Sequence, residues 1–92
     1  MKTKLKLEPH VLKRYEEVLS TYFFYNLSSD EFWETDLFTG SVISLLDGQY
    51  SGEDIVDILS LKNSDIPKAQ LEEHFYKTFK FLIKKGFLSE RC

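Results

Sequence analysis

Cysteine is nearly absent from these 92 residues: the one present is Cys92, so neither an internal disulfide nor a Cys-x-x-Cys metal or redox site can form. An unreacted thiol is expected there. The two histidines, His10 and His74, have no Cys or His neighbour at ligand spacing, and no metal is expected. No apolar run approaches the ~18 residues of a membrane span. Met1 to Leu7 alternates Lys with Thr or Leu and lacks the apolar run of a secretory signal. A cytoplasmic protein with no membrane partner is therefore expected. The chain also lacks a Gly-rich phosphate loop, a Ser or Cys nucleophile beside a base, and paired carboxylates in an evident cleft. The expectation is a protein without catalytic residues or cofactor, not an enzyme. With no Pro/Gly-rich or low-complexity stretch, order is expected nearly end to end.

What the chain does have is aromatic mass. Thirteen of its fourteen aromatics are Phe or Tyr, 15% of the residues are aromatic and 42% are hydrophobic. A chain of this size forms one domain, residues 1–92, with one small core, since only ~60–65% of its surface can be buried. That aromatic density exceeds what such a core can hide and points to a surface that binds something. The net charge of −3 is unevenly spread. Nine acids between residues 26 and 65 face Lys62 alone, whereas Lys68, Lys77, Lys80, Lys84 and Lys85 dominate the segment from Ile66 to Lys85.

Residues 1–10 read as a loose lead-in whose Leu5 and Leu7 can rest on a sheet. The residues from Val11 to Val18 fit a helix or a strand, and the β-branched and aromatic run Thr21–Leu27 decides the matter, since a lone strand needs a partner. Lys13–Leu19 is read as its antiparallel neighbour, with a turn at 27–30 leading into a third strand, Glu31–Thr35. Alternation puts Trp33 and Thr35 on one side of that strand and Phe32 and Glu34 on the other. Asp36 caps a helix carrying Leu37, Phe38, Val42, Leu45 and Leu46, with Gly48 as its left-handed stop. Ser51 and Asp54 form a capping box for a second helix with the stripe Ile55, Ile58 and Leu59. A third helix, Pro67–Lys85, carries Leu71, Phe75, Phe79 and Leu82 at intervals of four, four and three, with Tyr76 and Ile83 on one flank and His74 and Phe81 on the other. Gly86 ends it, and Phe87–Leu88 folds back as an apolar tail. The expected fold is α+β: a three-stranded antiparallel sheet followed by three helices, like a winged helix-turn-helix.

Leu45-Leu46-Asp47-Gly48, the Ser51-capped helix, the Leu71, Phe75, Phe79, Leu82 stripe and the closing Gly86-Phe87-Leu88 together resemble the PqqD-like family. These are the RiPP recognition elements of ribosomal peptide natural-product pathways, and the resemblance covers about residues 11–89. Where such domains often carry Leu-Asn-x-Thr-Gly before the first helix, this chain has Asp36-Leu37-Phe38-Thr39-Gly40. It keeps Thr39 and Gly40 only, which points to the broader recognition-element group.

The resemblance implies a non-catalytic domain that binds the leader segment of a precursor peptide. The leader would add as a strand to Glu31, Phe32, Trp33, Glu34 and Thr35, in a groove against the third helix. The helix residues expected at that groove are Phe75, Tyr76, Phe79, Lys80 and Ile83, with lysines at the rim attracting leader acids. The domain would present the leader to a separate modifying enzyme, such as a radical SAM protein or a cyclodehydratase. The same strand edge could also pair with its own copy as a homodimer. Several of these residues have a plainer reading: Trp33 fits a core anchor as well as a peptide contact, Phe75 and Phe79 lie in the core stripe, and the lysines fit a solvated helix face. A winged-helix DNA-binding protein is the rival function, but Glu72 and Glu73 in the early turns of the third helix would repel phosphate. A third reading is an assembly adaptor that binds a folded enzyme without a leader.

Overall fold

The computed structural model describes residues 2–91; Cys92, expected as a free thiol, lies outside them. In chain order the elements are β1 (Lys4–Leu7), β2 (Val11–Glu16), β3 (Thr21–Asn26), β4 (Glu31–Asp36), α1 (Leu37–Ser44), β5 (Asp47–Ser51), α2 (Gly52–Lys62), α3 (Lys68–Lys84) and β6 (Leu88–Arg91). Among them no helix is long and apolar enough to cross a membrane.

The expectation of one three-stranded sheet is corrected: the fold is α+β with two, ordered β2-β3-β4 and β5-β1-β6, all pairings antiparallel. The lead-in is strand β1, and the apolar tail continues into β6. Lys4, Leu5, Lys6 and Leu7 alternate as a half-buried strand does, and Leu5 is fully buried between partners more than 40 residues away in sequence. Pairing so distant leaves no local turn to announce it. The first helix is also shorter than expected. It ends at Ser44 with Leu45 as its cap, and Gly48, at φ +92°, lies inside β5 instead of closing a helix.

The other helix ends follow their residues. Asp36 accepts the Thr39 amide, and Ser51 and Asp54 form both bonds of a capping box. At the end of α3, Gly86 takes φ +79°, its amide bonds the Ile83 carbonyl and the Phe87 amide bonds the Leu82 carbonyl. Those paired bonds are a Schellman stop, and they turn Phe87 into the core.

One core joins both sheets and all three helices. Leu5 from β1, Phe24 from β3, Ile43 from α1, Val56 from α2, Phe75, Phe79 and Leu82 from α3, and Phe87 and Leu88 after it are buried together. Burying each large apolar side chain contributes about 1.5–3 kcal/mol. The stripe predicted on α3 is the stripe buried.

Candidate functional site

The meander β2-β3-β4 ends in β4, which has one strand neighbour, β3, among the described residues. Its far edge therefore presents backbone amides and carbonyls that no strand pairs. Trp33 and Thr35 face inward, with the Trp33 ring 5.3 Å from that of buried Phe24, and Phe32 and Glu34 face outward, as alternation predicts. Asp36 ends the strand and caps α1 at once, so the edge runs without a loop into a helix.

Helix α3 is tied to α1 near its middle and to this strand at its C-terminal end. Near its middle, the His74 ring and the buried Thr39 hydroxyl share a 2.8 Å hydrogen bond. Phe38 packs edge-on against Phe75 at 5.7 Å. At its end the Lys85 ammonium lies 3.5 Å from the Glu31 carboxylate. Beside that pair, buried Asn26 donates to the Lys85 carbonyl and accepts from the Ser28 and Ser29 amides. One amide side chain thus holds the β3–β4 turn and the end of α3 together, and its polar groups are satisfied as burial requires.

These ties identify the flank of α3 that faces β4. His74, Thr78, Phe81 and Lys85 recur at helical spacing on one side, and Phe81 between the ties is 45% exposed. A shallow hollow of 450 Å³ lies over His74, Lys77 and Thr78 on α3 itself, and one of 440 Å³ lies where Glu31 begins β4, beside Lys84 and Lys85. A hollow of 690 Å³, predominantly apolar, lies elsewhere, on the outer face of the same sheet. The two kinds of feature suit different ligands, since strand addition needs an open edge and side-chain recesses, not an enclosed cavity.

The expected site residues divide accordingly. Glu31, Phe32, Trp33, Glu34 and Thr35 all lie on the open strand. Phe75 and Phe79 are fully buried and form the support beneath the site. Tyr76 lies on the opposite flank toward α2: burial raises its phenol pKa, as do the nearby carboxylates of Glu72, Glu53 and Asp57. Ile83, seven residues on, shares that flank and packs against the core, and Lys80 is exposed. The two flanks look alike in sequence, each with an aromatic residue seven positions from its companion. The Thr39–Gly40 pair carried the missing signal: a Cβ on Gly40 would lie 2.3 Å from Tyr22, so this glycine lets α1 sit directly on β3, which leaves Thr39 within reach of His74.

No family model and no curated protein matches the chain. Solved structures do. TbiB1, in complex with the TbiA(beta) leader peptide, superposes with a TM-score of 0.73 at 19% identity, covering 91% of this chain and 94% of TbiB1. The heterocyclase TruD matches with a TM-score of 0.63 at 23% identity over 96% of this chain. A heterocyclase in complex with substrate and cofactor matches with 0.61 at 22% over 99%. The chain spans 11% of the length of each heterocyclase chain. It therefore shares its fold with nearly all of TbiB1 and with a small part of much larger heterocyclase chains.

Proposed function

We propose that the chain is a RiPP recognition element that binds the leader segment of a ribosomally made precursor peptide by strand addition to the open edge of β4. The observation that carries this reading is that edge lying beside an unfilled flank of α3. Its support from outside the chain is the shared fold with a protein solved holding a leader peptide. An incoming strand would pair with the backbone of residues 31–35, and its inward side chains would lie against Trp33, Thr35 and the His74, Thr78, Phe81 flank. Four or five backbone bonds at about 0.5–1.5 kcal/mol each barely offset the ~2–5 kcal/mol cost of ordering a flexible peptide. Apolar anchors on Trp33 and Phe81 supply the rest.

The chain's own part is then binding without catalysis, with the modifying enzyme as a second partner. A heterocyclase, the class to which a cyclodehydratase belongs, is the enzyme favoured by the shared fold within heterocyclase chains. DNA binding draws less support. Lys68, Lys77 and Lys85 are engaged with Asp57, Glu73 and Glu31, so α3 offers a broken basic stripe.

Trp33 is the one tryptophan and therefore a probe of the site. Titrating synthetic leader peptides, the TbiA(beta) leader first among them, should find one that changes Trp33 emission saturably, and Phe81→Ala should weaken its binding about tenfold. A leader that binds equally well to Phe81→Ala, or one that binds and leaves Trp33 emission flat, would overturn the assignment.

A further inference from the structure

The outer face of β2-β3-β4 is turned away from the core, yet much of it is apolar. Cross-strand register sets its outward side chains in three rows: Leu12, Tyr25 and Phe32; Arg14, Phe23 and Glu34; and Glu16, Thr21 and Asp36. Phe23 and Phe32 stack at 5.4 Å, Arg14 reaches Glu16 along its own strand, and the Tyr25 hydroxyl donates to Asp30. Val18 and Leu19, 89% and 65% exposed, lie in the β2–β3 turn and help line the 690 Å³ hollow over this face.

We infer that this face binds the same face of a second copy of the chain, about a two-fold axis running along the strands. The rows carry the inference. That axis lays β2 of one copy over β4 of the other, row upon row, in the aligned packing that sheets adopt about 10 Å apart. Leu12 then meets Phe32, Arg14 meets Glu34 twice, and Phe23 and Tyr25 meet their own copies on the axis. The alternative two-fold, across the strands, lays the apolar row over the acidic one. Isologous pairing of this kind requires a face that is its own complement, and the middle row, with Arg14 and Glu34 either side of Phe23, meets that condition in charge. The Glu16, Thr21, Asp36 row sets acid over acid at one end, beside the two Val18–Leu19 turns, and opposes the association.

Nine outward residues and a turn fall short of the ~20–30 residues a side of a stable interface, so the dimer is reversible and weak. Both β4 edges stay open in it, because the partner sheet covers the face and not the margin. The inference is thus independent of leader binding.

Sedimentation over a concentration series up to about 1 mM tests it, with Arg14→Glu and Glu34→Arg as separate variants. The unmodified chain should show concentration-dependent dimerisation, and each variant should weaken it about tenfold or more. An equimolar mixture of the two should regain the original affinity, since both charge pairs are then restored across the axis. A chain monomeric throughout, variants that dimerise unchanged, or a mixture no better than its components would each overturn the inference. Leader titration of Arg14→Glu, read at Trp33, separates this outcome from failure of the proposed function.

Discussion

Sheet β2-β3-β4 has two outer strands, and each has one strand neighbour among the described residues. Beyond that they differ. Along β2, the Lys13 side chain donates to the Ser44 carbonyl at the end of α1. Along β4, α3 is tied near its middle, by Thr39 to His74, and at its end, by Glu31 and Asn26 to Lys85, with Phe81 exposed between. An unpaired edge is a general liability that native sheets blunt with charge, and Glu31, Glu34 and Asp36 do so here. In the proposed function, what distinguishes the β4 edge is the α3 flank beside it with its exposed Phe81, because backbone bonds alone would barely offset the cost of ordering a guest.

The predictions test that difference from the strongest perturbation downward. Gly40→Ala forces a Cβ into Tyr22 and should cost about 3 kcal/mol by overpacking, read as a lowered denaturation midpoint. Asn26→Leu removes the bonds joining the β3–β4 turn to α3 and should cost about 1–3 kcal/mol for the backbone groups left unpaired. It should weaken leader binding beyond what the lost stability explains, measured at a temperature where the variant is fully folded. Thr39→Val breaks the other tie and should cost about 1 kcal/mol, with a smaller loss of affinity. Tyr76→Ala, on the α2 side, should leave leader affinity within about twofold while Phe81→Ala lowers it about tenfold; equal effects would erase the distinction between the flanks.

The smallest effect is alkaline. The hydrogen bond that Lys68 donates to the Asp57 carboxylate, with that group's charge, raises the Lys68 pKa above the ordinary 10.5. A raised lysine pKa stabilises the fold fully below that ordinary value, and the contribution fades as pH rises through the raised one. Asp57→Asn should therefore change the alkaline limb of a stability profile and leave leader binding at neutral pH unaltered.

Much of this fold was legible in the residues. The Leu71, Phe75, Phe79, Leu82 stripe, the Ser51–Asp54 capping box, the Gly86 stop and the aromatic meander all signal within a few positions of themselves, and the structure has each of them. The second sheet was not legible, although Lys4-Leu5-Lys6-Leu7 alternates plainly, because its three strands come from both ends and the middle of the chain. Gly48 misled for a related reason: positive φ suits a bulged strand as well as a helix stop, and only the partner strand decides. The open strand of the candidate site could be named from alternation and turn chemistry. The flank of α3 could not, since His74–Phe81 and Tyr76–Ile83 share one spacing and their difference lies in Thr39 and Asn26, which are distant in sequence.

Amide hydrogen exchange of the two edges, with and without the cognate leader peptide, tests the central claim most directly. The account predicts that outward-pointing amides of β4 exchange quickly in the free chain and become protected in the complex, while those of β2 exchange quickly in both. Protection appearing along β2, or nowhere on β4 at saturating leader, would contradict it.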